Sequence, residues 1–82
     1  MARTRTPTAE TLAGQIAQEI RGEMARQGFT QGDLAAKLGW TQRKLSYRLT
    51  ADHPIDATEL EEIAAALDVP VTRFLPTAGR AA

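Results

Sequence analysis

The side chains able to do recognition chemistry are concentrated in residues 41–50, TQRKLSYRLT. This stretch holds three cations, Arg43, Lys44 and Arg48, and no acid. Interleaved with them are the amide, hydroxyl and phenol groups of Gln42, Ser46, Tyr47 and Thr50. Leu45 and Leu49 recur at helical spacing and form an inward stripe. That stripe turns Gln42, Arg43, Ser46, Tyr47 and Thr50 outward and leaves Lys44 and Arg48 on the flanks. Gln and Arg at the start of such a helix can bond adenine and guanine edges in pairs, which is the chemistry of a helix lying in the DNA major groove.

Such a helix is short and must be held by others. Thr41 supplies its N-cap, a role that competes with bonding phosphate through the same hydroxyl. Upstream, Thr30 and Asp33 have the spacing of a capping box, and Leu34, Ala35 and Leu38 share one face of the helix it opens. Gly39 follows directly, where a left-handed residue ends helices cheaply. Residues 30–49 therefore predict two short helices joined by a tight turn. Gln31, at the start of the first, stands beside free N–H groups that attract phosphate.

This block resembles the helix-turn-helix of the Cro and repressor family of phages, shared by many small bacterial regulators (the XRE-like proteins). The family's Gln-x-x-Leu-Ala-x-x-Leu-Gly core is matched by Gln31, Leu34, Ala35, Leu38 and Gly39. A small hydroxyl residue (Thr41), a variable reading segment and an apolar anchor (Leu45) come next. The closing Ile-Ala-x-x-Leu-x-Val segment is met by Ile63, Ala64, Leu67 and Val69, with Phe74 and Leu75 beyond. The likeness covers roughly residues 12–75, and its order and spacing are more specific than any one element. It implies an all-α, five-helix, lambda-repressor-like DNA-binding domain. It also implies that Gln31 clamps the DNA backbone and that Tyr47 occupies a third reading position after Gln42 and Arg43. The chain departs from the pattern just after the reading helix. Many members carry Glu-x-Gly there, whereas this sequence runs Leu49, Thr50, Ala51, Asp52, His53, Pro54.

Eighty-two residues support one domain with one small core. Without cysteine, neither a disulfide nor a thiolate metal site can staple it, so helix packing must. No apolar run reaches the length of a membrane span and the N-terminus has no signal-peptide core, so a cytoplasmic location is expected. Net charge is zero, but residues 1–50 carry eight Arg or Lys against four Asp or Glu, and residues 51–82 carry two against six. Nucleic acid responds to the local field, and the basic half contains the proposed reading helix.

Along the chain, residues 1–7 lack apolar periodicity and read as a flexible basic arm. It is either a plain terminus or a device that lays Arg3 and Arg5 on the DNA backbone or in a minor groove. Residues 8–76 form the domain and 77–82 a loose tail. The first helix is expected after Thr8 with Glu10 in its first turn, burying Leu12, Ile16, Ile20 and Met24, widened by Ala13 and Ala17. Gly14 and Gly22 each cost about 1 kcal/mol relative to Ala, so packing must hold it. Gly28 ends it and Phe29 turns into the core. A fourth helix opens with Asp56 and Glu59 as a second capping box and buries Leu60, Ile63, Ala64 and Leu67, with Glu59, Glu61 and Glu62 toward water. Pro70 opens a short fifth helix to about Leu75, and Pro76 stops it.

Other residues are read more plainly. Trp40, in the turn, is expected as a wedge between helices, with a backbone contact to DNA as the alternative. His53, with Asp52 and Asp56, is a loop cluster without a preorganised ligand set, so no metal is expected. The chain is too small to build a substrate cleft around a Ser-His-Asp arrangement, so no enzyme, cofactor or small-molecule ligand is expected. Lys44 and Arg48 are expected to meet phosphate, and Ser46 to support base reading.

The sequence therefore predicts a sequence-specific double-stranded DNA-binding regulator, a phage-type repressor or Cro-like protein acting by operator occlusion. A weak homodimer through residues 69–75 is expected. Val69, Val71, Phe74 and Leu75 exceed what one short helix buries, unless Phe74 and Leu75 close the monomer's own core. Two other readings are an antitoxin-type protein that represses its own operon and an accessory factor in recombination.

Overall fold

Each α-helix among the described residues is opened by a hydroxyl or carboxylate side chain. In a computed structural model, which describes residues 11–50 and 52–75, four α-helices follow in order: α1 (Leu12–Gln27), α2 (Gln31–Leu38), α3 (Gln42–Leu49) and α4 (Ala57–Leu67). Thr11, Thr30, Thr41 and Asp56 cap them in turn, each side chain accepting an N–H from the first helical turn. At α2 and α4 the bond is reciprocated by Asp33 and Glu59, so both expected capping boxes are present.

Three helices close in the same way. Gly28, Gly39 and Asp68 take left-handed conformations after α1, α2 and α4, with φ of 77°, 73° and 60°. In each case that residue and the next donate to carbonyls three and five positions back: Gly39 to Ala36 at 3.2 Å and Trp40 to Ala35 at 3.0 Å, for example. Asp68 does so with a side chain that disfavours this region.

One core unites the elements. Ile16, Ile20 and Met24 from α1 meet Leu34 and Ala35 from α2, Leu45 and Leu49 from α3, and Leu60, Ile63, Ala64 and Leu67 from α4. Phe29, Leu38, Trp40, Ile55, Val69 and Val71 pack around it half-buried. Each fully buried large side chain contributes about 1.5–3 kcal/mol, and α3 carries two of them, Leu45 and Leu49.

Three expectations are corrected. The first helix begins at Leu12 behind Thr11; Thr8 and Glu10 lie outside the described residues. Leu12 is 59% exposed, because a side chain on the first helical residue leans toward the N-terminus and away from the core. The fifth helix is a single 3₁₀ turn, Val71–Phe74, opened by Pro70, too short to form α-helical bonds before the chain turns extended at Leu75. Phe74 is fully buried in the core and only Leu75, at 39%, remains exposed. Most of the apolar surplus expected at residues 69–75 is thus used within the monomer. Pro76 lies outside the described residues.

Polar groups tie the periphery together. Glu23, buried on α1, accepts from Arg26 at 2.6 Å, Gln27 at 2.8 Å and Arg73 of the 3₁₀ turn at 2.8 Å. Gln27 also donates to the Leu67 carbonyl at the end of α4 at 2.8 Å. The Gln27 bond, then the charges of Arg26 and Arg73, hold the Glu23 carboxyl below its usual range against the opposing effect of burial. Among the described residues, no buried side-chain nitrogen or oxygen lacks a hydrogen-bond partner.

Candidate nucleic-acid interface

α2 and α3 are eight residues each, joined by Gly39, Trp40 and Thr41. An isolated helix of that length is marginal in water, so the orientation of α3 comes from its neighbours. Leu45 and Leu49 anchor its inner face. At its far end, Arg21 of α1 donates to the Leu49 carbonyl, satisfying a helix C-terminus with a cation. The departure from Glu-x-Gly is handled locally. Thr50 ends α3 in a right-handed conformation, and the N–H of Asp52 bonds the Tyr47 carbonyl at 3.1 Å. The Thr50 hydroxyl bonds the same carbonyl at 3.2 Å. No left-handed residue is needed at Thr50; Ala51 lies outside the described residues.

The outer face of α3 begins with Gln42 and Arg43, both exposed. Arg43 has no ion-pair partner among the described residues, whereas Lys44 and Arg48 both do. Tyr47, 41% exposed, stands on the same side with its ring 5.3 Å from that of His53. Ser46 is half-buried beside it. Gln42 reaches back over the turn: a methyl group placed on Gly32 would sit 3.8 Å from its Oε1. The first residue of α3 and the N-terminus of α2, where Gln31 lies, therefore form one polar edge. Thr41 Oγ1 accepts the Lys44 N–H at 3.0 Å, so the cap is made and the hydroxyl proton remains to be donated.

The flanks are more tightly held than their sequence suggests. Arg48 donates from Nε and Nη2 to the two oxygens of Glu59, at 2.9 and 3.0 Å. Lys44 Nζ lies 3.6 Å from the same carboxylate and 4.2 Å from the centre of the Trp40 ring. Trp40 itself packs half-buried against the core as a wedge. The Arg48 hydrogen bonds foremost, with the Asp56 N–H and the two cationic charges, pull the Glu59 carboxyl down to about 2 despite partial burial. The same pair raises Arg48 above its ordinary range. Glu59, expected as part of a solvated acidic face, is thus a clamp; Glu61 and Glu62 are exposed as expected. The sequence carries no local signal for it, since Arg48 and Glu59 belong to separate helices that meet only on packing. His53 is exposed and tilted against Tyr47. Arg3 and Arg5 lie outside the described residues.

Two short helices about a left-handed glycine, the second presenting from its first turn an exposed amide and an arginine without an ion-pair partner among the described residues, form a helix-turn-helix. The family model for the helix-turn-helix domain matches residues 15–74, and the chain belongs to that family. It is an XRE-like helix-turn-helix DNA-binding protein. A crystal structure described as that of the hypothetical transcription factor NHTF from Neisseria superposes with a TM-score of 0.77. The two are 24% identical, and the match covers 99% of this chain and 94% of that one; the likeness is one of fold. Comparison with curated proteins gives no significant match. No helix among the described residues is long and apolar enough to cross a membrane.

Proposed function

We propose that this protein is a sequence-specific transcriptional regulator of the phage-repressor or Cro-like kind, occupying an operator that overlaps a promoter and blocking polymerase there. The observation that carries the reading is the opening of α3, where Gln42 and Arg43 are exposed and Arg43 has no internal partner among the described residues. In this reading Gln42 and Arg43 bond base edges, Ser46 and Tyr47 read further along the groove, and His53 steadies the Tyr47 ring. Gln31, Thr41 and Lys44 meet the backbone, with Arg3 and Arg5 as additional phosphate contacts. Two copies sit on a two-fold symmetric site about 34 Å apart. With Phe74 committed to the monomer core, exposed Leu75 supports only a weak homodimer that DNA completes.

Selection of bound sites from random duplex DNA, followed by sedimentation of the complex, tests both parts. The expected result is a defined motif with two-fold symmetry and two copies bound. No enriched motif refutes sequence-specific reading. An asymmetric motif with one copy refutes the dimer and leaves the reading helix standing.

A further inference from the structure

Glu59 occupies an unusual position for an acidic residue in a protein that binds a polyanion. It is the third residue of α4, where its Oε1 accepts the Asp56 N–H at 3.3 Å and its own N–H donates to Asp56 Oδ1 at 2.7 Å. The same carboxylate takes both hydrogen bonds from Arg48 and lies 3.6 Å from Lys44. One side chain therefore caps the helix after the exit loop and gathers two of the three cations on the helix before it. Lys44 and Arg48 are one turn apart, so a single acid entering from α4 meets both. Arg43, on the outward face, has no ion-pair partner among the described residues.

We infer that Glu59 sets the balance between specific and non-specific DNA binding by withholding the charge of Arg48 from phosphate. The inference rests on the DNA-reading role assigned to α3. Non-specific affinity grows with every phosphate that a cation neutralises, whatever the base sequence. Contacts from Gln42 and Arg43 to base edges gain nothing in discrimination from such added charge. A carboxylate that silences a flanking cation lowers affinity for random duplex while leaving base reading intact. Glu59 is thus a positioning residue that acts through Arg48 without touching DNA.

The test is the salt dependence of binding to random duplex DNA and to a selected operator, for wild type, Glu59→Gln and the double variant Arg48→Met/Glu59→Gln. Gln keeps the capping-box acceptor and removes the charge. Glu59→Gln is expected to steepen the slope of log K against log salt by about 0.9 and to raise random-duplex affinity roughly five- to tenfold at 0.1 M salt. Operator affinity is expected to rise less than that, so the specificity ratio falls; an equal rise overturns the inference. The double variant, which removes both charges together, is expected to show the wild-type slope. If its slope flattens by about 0.9 instead, Arg48 is a phosphate ligand in the wild type and the inference is overturned. An unchanged slope in Glu59→Gln overturns it equally. If Glu59→Gln does not fold by circular dichroism, the double variant decides alone. A wild-type chain that ignores duplex DNA altogether overturns the functional reading, and the role of Glu59 with it.

Discussion

Acid should dissolve the α3–α4 clamp in a window fixed by Glu59. Its carboxyl sits at about 2 in the folded chain against an ordinary 4.5, held there first by the Arg48 hydrogen bonds. A carboxyl depressed by folding stabilises the fold at every pH above its unfolded value. That stability drains away as pH falls from the unfolded value through the folded one. The window therefore runs from about pH 5 to about pH 2. Taken whole, the gap corresponds to about 3 kcal/mol. Arg48 and Glu59 reach the surface at 20% and 13% side-chain exposure, and solvent screening there brings the expected contribution to about 1–2 kcal/mol. Urea unfolding of wild type and Glu59→Gln, from pH 7 down to the lowest pH at which both fold, measures it. The wild type should be more stable by that amount at pH 7, with the difference shrinking below pH 4.5. Glu23 and Asp33, whose carboxyls are also lowered, titrate in both chains and cancel. A difference that stays constant over the whole range would refute the electrostatic account and leave only shape.

Gly22 lies mid-helix in α1 with nothing within 4 Å of an added methyl group, so Gly22→Ala should stabilise by about 0.5–1 kcal/mol, or about 4–8 °C per kcal/mol for a domain of this size, read by thermal melting. Asp68→Gly should also stabilise, by about 0.5–1 kcal/mol, since it relieves a left-handed φ of 60° and removes an anion from a helix C-terminus; a larger unfolded-state entropy sets the ceiling. Arg43→Ala and Gln42→Ala should each relax preference at one or two operator positions by about 1–3 kcal/mol, measured against single-base operator variants. Unchanged preference at every position would mean that another face of the domain reads DNA.

What was legible in the sequence was local. Thr30 with Asp33, Thr41 with Lys44 and Asp56 with Glu59 are each three residues apart, and Gly28 and Gly39 stop helices by their own backbone freedom. Such signals need no knowledge of how helices cross. The inward stripes of α2, α3 and α4 were legible for the same reason. Leu12 misled because periodicity says which side a residue faces and nothing about whether a partner reaches the helix end. The unforeseen contacts span the chain: Arg48 to Glu59, Arg21 to Leu49, Glu23 to Arg73. They exist only once packing brings separate elements together, and one charged residue on a helix flank looks like any other until then.

That division bears on how the interface works. The proposed reading face of α3 is written in eight consecutive residues, but those residues cannot hold their own helix in place. Its N-terminus is fixed by Thr41 and the turn after Gly39, its inner face by Leu45 and Leu49, its C-terminus by Arg21 from α1, and its flank by Glu59 from α4. Only the first two of these were readable from the motif itself. In the proposed function, a shift of the helix by a fraction of a turn would carry Gln42 and Arg43 off the base edges assigned to them, since paired hydrogen bonds tolerate little misalignment. On that reading, residues placed away from DNA also belong to the recognition site. Arg21 is where a change in α1 would be felt as a change in what α3 reads.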